Sequence, residues 1–176
     1  MEAKISCPYG MSADEPDELL CEGAELVRFE QYDAFMEKQH AMLACVEMHD
    51  EDGACAYLPA LEAELQRYQE QAYVLDPFLE RLVTPVAQTM RAQVLESSCM
   101  CMAPVARLLY MYTKVRGYKV VSRFFPHQVR ELPLLLDALE RFESPTWECL
   151  YVLLLWLSSV VLVPFPLDRG TPSPSE

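Results

Sequence analysis

Apolar residues in this 176-residue chain return at three-, four- and seven-residue steps in one segment after another, and proline, glycine and paired serines separate the segments. A helix needs that period to keep one side in a core, whereas a half-buried strand needs strict alternation. Leu26, Phe29, Tyr32, Met36, Leu43 and Val46 outline one amphipathic helix, or two abutting ones, over about 22–48, and His49-Asp50-Glu51-Asp52-Gly53 reads as an acidic loop. A second helix is expected from about Leu58 to Tyr73, with Leu61, Leu65, Tyr68, Ala72 and Leu75 along one side. Asp76-Pro77 reads as a cap with proline at the first helical position. The third helix then runs to about Leu95 on a stripe of Phe78, Leu82, Val83, Val86 and Met90, and Pro85 inside it predicts a kink or a break. Pro104 opens a fourth helix with Val105, Leu108, Leu109, Tyr112 and Val115 inward, closed by Gly117 as a C′ residue. A short apolar piece, Tyr118 to Phe125, precedes a fifth helix over about 128–142, which carries Val129, Leu132, Leu135, Leu136, Leu139 and Phe142 and has Pro133 in its first turns. Ser144-Pro145 reads as the cap of a last helix, about 146–163.

These segments predict an all-α protein. Antiparallel helix pairs joined by short loops, about 40 residues per unit, are the signature of HEAT- or armadillo-like α-solenoids. Strict internal repetition is absent, so period alone establishes all-α and leaves the solenoid open. The expected organisation is an acidic tail over 1–21, a helical-repeat segment over 22–167 and a short tail over 168–176. With 52% apolar residues, most of the chain can offset its ordering entropy.

The net charge of −13 is unevenly placed. Residues 1–75 hold four Lys/Arg against seventeen Asp/Glu, while 76–176 hold ten of each. Such a chain lacks the broad basic footprint of a nucleic-acid binder. Seven cysteines, an odd number without a disulfide-framework spacing, and an N-terminus with no export segment indicate reduced thiols in the cytosol. The apolar run 150–163 is fourteen residues long, short of the about twenty a bilayer span requires. A helix apolar all round is usually buried in protein, so a central solenoid helix is expected there, with a membrane anchor as the alternative.

Catalytic chemistry is hard to assemble. His40, His49 and His127 stand apart and outside any nucleophile or zinc motif, and Cys99-Met-Cys101 has no second thiol pair. The cysteines therefore read as small apolar residues. Asp50–Gly53 lacks the ligand steps of a calcium loop, and no glycine-rich phosphate cradle exists. No catalytic, cofactor or metal residue is nominated, and an enzyme is not expected.

One stretch stands out, Tyr110 to His127, because Arg107, Lys114, Arg116, Lys119, Arg123 and Arg130 follow one another with no carboxylate between them. The plain reading is a solvated face plus cations at a helix C-terminus. The functional reading is a basic, tyrosine-flanked turn that docks an acidic partner through Lys114, Arg116, Tyr118, Lys119 and Arg123.

The same stretch, with Trp147-Glu-Cys-Leu-Tyr-Val-Leu-Leu-Leu-Trp-Leu-Ser158 and Val163-Pro-Phe165, resembles the N-terminal region of the tubulin-folding cofactor D family. Arg67-Tyr-Gln-Glu-Gln71 and Leu75-Asp-Pro-Phe-Leu-Glu80 resemble it too, in the same order, so the likeness covers about 57–169. The resemblance implies a non-catalytic cytosolic chaperone that captures β-tubulin after the chaperonin step and works with other tubulin-folding cofactors on the heterodimer. It also implies binding of an Arf-like small GTPase, GTPase activation only together with other cofactors, and action at centrosomes and cell junctions. Family members are several times longer and continue their solenoid where this chain turns to Gly170-Thr-Pro-Ser-Pro-Ser-Glu176. A fragment, a short splice form or a mispredicted product is therefore expected, with Leu153, Leu154, Trp156 and Val160 left partly bare.

Overall fold

The fold is taken from a computed structural model, which describes residues 29–96, 101–142 and 145–162. The tails over 1–21 and 168–176, and Ser144, lie outside these residues. Seven α-helices occur among them: α1 Tyr32–Glu47, α2 Glu51–Arg67, α3 Leu79–Leu95, α4 Met102–Arg116, α5 Tyr118–Val121, α6 Leu132–Arg141 and α7 Trp147–Val161. Short 3₁₀ segments, Ala72–Phe78, Ser122–Phe124 and Val129–Glu131, link them, and no strand is present among the described residues. The architecture is the all-α solenoid segment that the period and the pairing of helices predict.

The acidic stretch after α1 is not a loop. His49 adopts φ 59°, its N–H donates to Val46 O at 3.0 Å, and the Asp50 N–H donates to Cys45 O at 2.9 Å. That pair of bonds is a Schellman ending with histidine in the place glycine usually takes. Asp50 then caps the next helix at once, its Oδ1 accepting from the Gly53 N–H at 2.9 Å. Glu51 and Asp52 form the first turn of α2, where carboxylates complement the helix dipole. With only 48–50 between them, α1 and α2 fold back as an antiparallel pair.

Asp76-Pro77 also takes another role. Pro77 lies in the 3₁₀ segment, Phe78 precedes α3, and Asp76 turns outward to Arg116. Pro85 sits within α3 without ending it. The last helix is capped by Thr146, whose Oγ1 accepts from the Cys149 N–H at 3.4 Å.

Central in this arrangement is α4, which packs against α2, α3 and α7. Val105, Leu108, Leu109 and Tyr112 are all at most 1% exposed. Each such side chain contributes about 1.5–3 kcal/mol by leaving water. On α6 the buried positions are Leu135 and Ala138, while Leu136, and Val129 in the 3₁₀ segment before the helix, are exposed instead of inward.

The expected bare patch on α7 is corrected. Leu153, Trp156 and Val160 are buried against the bundle, and the Trp156 Nε1–H donates to Pro126 O. Of the four, Leu154 alone is exposed. Helix α7 has 15 residues, and no helix among the described residues is long and apolar enough to cross a membrane.

Candidate docking surface

The turn from α4 into α5 is set by Gly117. Its φ of 96° and ψ of 138° lie outside the left-handed helical well, a region open to glycine and costly for other residues. The Gly117 N–H donates to Thr113 O at 2.9 Å, and its carbonyl accepts from Val120 and Val121 at 3.2 Å. One residue thus closes α4 and starts α5. Lys114 and Arg116 fall in the last turn of α4, where cations favourably meet the negative end of the helix dipole.

The six consecutive cations divide into two sets. Arg107 pairs with Glu62 of α2 (Nη2 to Oε2 3.0 Å), Arg116 with Asp76 (Nη2 to Oδ2 2.7 Å), and Arg130 lies 3.8 Å from the buried Glu131. The hydrogen bond from Arg116 holds the Asp76 carboxyl below its ordinary value, while the same bond raises Arg116. The bond to Glu62 likewise raises Arg107. Lys114, Lys119 and Arg123 are exposed and have no carboxylate partner among the described residues. Lys119 and Arg123 lie one helical turn apart, and Tyr118 beside them is 51% exposed. Of the five residues singled out from sequence, Lys114, Tyr118, Lys119 and Arg123 are open to a partner, whereas Arg116 joins the end of α4 to the Ala72–Phe78 segment.

An aromatic cluster adjoins this surface that sequence reasoning did not find. Tyr110, one turn before Lys114 on α4, meets Trp147 edge-on at 4.6 Å and Tyr151 at 5.4 Å between ring centroids. Trp147 remains 58% exposed. Because α7 is apolar nearly all round, its sequence conceals which side faces water. The only available signal was Trp147 itself, at the very start of the helix.

The other chemical candidates stay dispersed. Among the described residues no group of three or more His, Cys, Asp or Glu is placed to hold a metal ion. Cys101 and Cys149 are buried, and burial together with Glu51 pushes the Cys55 and Cys101 thiols up, away from a reactive thiolate. A groove between α1 and α3 is lined by His40, Glu47, Gln88 and Thr89, with no nucleophile–base pair among them.

The described residues thus form a helical solenoid segment with an exposed basic turn and an aromatic cluster on α4 and α7. Residues 65–175, well over half of the chain, match the family described as tubulin-specific chaperone D-like, ARM repeat, and the chain belongs to that family. The tubulin-folding cofactor D of Schizosaccharomyces pombe is 34% identical over 104 residues. The aligned stretch is 59% of this chain and 9% of that relative, so the chain spans a small part of the relative's length. No solved structure matches it.

Proposed function

We propose that this chain is a tubulin-handling segment that binds β-tubulin through the turn joining α4 and α5, with Lys114, Tyr118, Lys119 and Arg123 meeting an acidic surface. The observation that carries this reading is the set of three exposed cations with no ion-pair partner among the described residues, in a chain of net charge −13 and inside the stretch shared with the family. Complementary fields between such cations and an acidic partner speed encounter and fix register. In this reading Arg116 positions the turn and does not dock.

The wider activity in this reading is the one that the family resemblance implies: assembly and disassembly of the tubulin heterodimer with the other tubulin-folding cofactors, with GTPase activation arising only in their joint complex. An Arf-like small GTPase is a second partner in this reading. The setting is the cytoplasm, with the cytoskeleton, centrosome and cell junctions as its places of action.

Purified chain, immobilised and offered β-tubulin, tests the core of the proposal, with the full-length relative as the positive control. Retention that falls from low to moderate salt and is lost in Lys119→Glu/Arg123→Glu is the expected result. No retention by the wild-type chain, with the control active, overturns it.

A further inference from the structure

Phe29, the first described residue, is 5% exposed and packs against Tyr68 at 5.1 Å and Phe78 at 5.9 Å between ring centroids. Two residues before Phe78 stands Asp76, whose carboxylate holds Arg116 in the last turn of α4. The point at which residues 1–28 join the bundle is thus pinned beside the turn from α4 into α5. There Lys114, Lys119 and Arg123 are exposed with no ion-pair partner among the described residues. Residues 1–28 carry the opposite charge, with seven Asp/Glu against two Lys/Arg. Within them Asp14, Glu15, Asp17, Glu18, Glu22 and Glu25 follow one another with no cation between them. We propose that the acidic segment 14–25 docks on the basic turn of its own chain and competes there with the acidic partner. Its role as a competitor rests on the tubulin docking proposed above, whereas the contact itself does not.

Reach and charge both select this site. Fifteen residue steps separate Asp14 from Phe29. At about 3.3–3.6 Å per residue they span at most about 50 Å, several times the about 10 Å width of a helix. Residues 29–75 hold ten Asp/Glu and two Lys/Arg, so α1 and α2, the nearest elements along the chain, repel the segment. The turn after α4 offers the opposite sign at the same end of the bundle. A tether of this length holds the segment near the turn at an effective concentration of about millimolar. A contact too weak to join two separate chains therefore closes a sizeable share of the molecules. Because the groups on the turn are exposed, salt screens the attraction and opens the contact.

Zero-length carbodiimide coupling of the full chain tests the contact, since it joins carboxylates only to lysine amines that touch them. Lys38 on α1 is the internal control, being exposed and nearer in sequence to the segment. Mass spectrometry of the 20.2 kDa monomer should find 14–25 joined to Lys114 and Lys119 in preference to Lys38. Lys119→Glu/Arg123→Glu should lower the Lys114 yield to that of Lys38, and moderate salt should do the same to both lysines of the wild-type chain. Equal coupling to Lys38, or a pattern indifferent to these changes, overturns the contact. For the competition, Asp14→Asn/Glu15→Gln/Asp17→Asn/Glu18→Gln should bind β-tubulin about two- to tenfold tighter than wild type at low salt. A control that removes the same formal charge elsewhere, Glu37→Gln/Glu47→Gln/Glu96→Gln/Glu140→Gln, all exposed positions, should gain less. Equal gains would make the segment bulk charge and overturn the competition. The expected couplings with no tubulin binding by any chain would uphold the contact and overturn the docking reading instead.

Discussion

Tyr112 of α4 and Gln39 of α1 meet in the fully buried centre of the bundle, where the phenol donates to Gln39 Oε1 and Gln39 Nε2 donates to Leu82 O of α3 at 2.9 Å. Three helices are thus fixed in register by one amide. Tyr112→Phe removes a donor and leaves Oε1 buried without a partner, a loss of about 1–3 kcal/mol. Gln39→Leu with Tyr112→Phe should cost less than the two single changes summed, and chemical denaturation of the three variants reads the coupling. Burial also raises the Tyr112 pKa well above its ordinary value. The unfolded phenol therefore ionises first, and stability falls as pH rises beyond about 10, an alkaline loss that Tyr112→Phe diminishes.

Two of the described residues hold positive φ, and substitution at them should act in opposite directions. His49 sits at φ 59° in the Schellman ending of α1, so His49→Gly relieves a left-handed side chain and raises stability by up to about 1 kcal/mol. Gly117 sits at φ 96° and ψ 138°, and no atom lies within 4 Å of an added Cβ, so the cost of Gly117→Ala is one of backbone alone, about 1–3 kcal/mol. Gly117→Asn should do no better, because asparagine tolerates the left-handed helical well and not this region. Thermal melts of the three variants order them.

The legible part of this fold is the part that periodicity controls. Val105, Leu108, Leu109, Tyr112 and Val115 can be placed inward from spacing alone, and all five are buried. Capping chemistry was harder to read, because one short string can end one helix and begin another. His49-Asp50 does both within two residues, which made Glu51–Gly53 look like a loop. The basic turn was visible as a run of cations, but sequence cannot show that Asp76, forty residues away, takes up Arg116. Nor can it show which side of a helix such as α7, apolar nearly all round, meets solvent.

Glu131 is 1% exposed and is gripped by Arg91 of α3 through three hydrogen bonds of 3.0–3.1 Å. Removing the cation is worse than neutralising the anion, since it strands a carboxylate away from water. Arg91→Ala should cost about 1–3 kcal/mol, more than Glu131→Gln, with Arg91 itself part-exposed and Arg130 still 3.8 Å from the carboxylate. Equal losses in urea denaturation would show that Glu131 gains water when its partner is removed.

Asp76 and Arg116 are each partly exposed, so their pair contributes less than about 1 kcal/mol. The sign of its pH dependence is nonetheless fixed. The folded Asp76 pKa lies below the unfolded one, so the contribution is present above about pH 4 and disappears as pH falls through the folded value. Denaturation at pH 7 should find Asp76→Asn slightly less stable than wild type, and at pH 2–3 the difference should shrink toward zero.

The division of the cations makes a sharper demand on the basic turn. Arg116 already satisfies Asp76, so Arg116→Glu puts two carboxylates side by side and shows mainly as a lower melting temperature. Lys119 and Arg123 have no internal carboxylate among the described residues, so Lys119→Glu and Arg123→Glu should leave melting within about 0.5 kcal/mol of wild type. Their effect should instead appear in association with β-tubulin, as a slower on-rate and a flatter dependence on salt, since exposed charges act by steering. Surface plasmon resonance at two ionic strengths, beside melting curves of the same three variants, separates the roles. If Arg116→Glu alone abolished binding while Lys119→Glu and Arg123→Glu bound normally, the turn would matter for its shape, and its free cations would be only a solvated face.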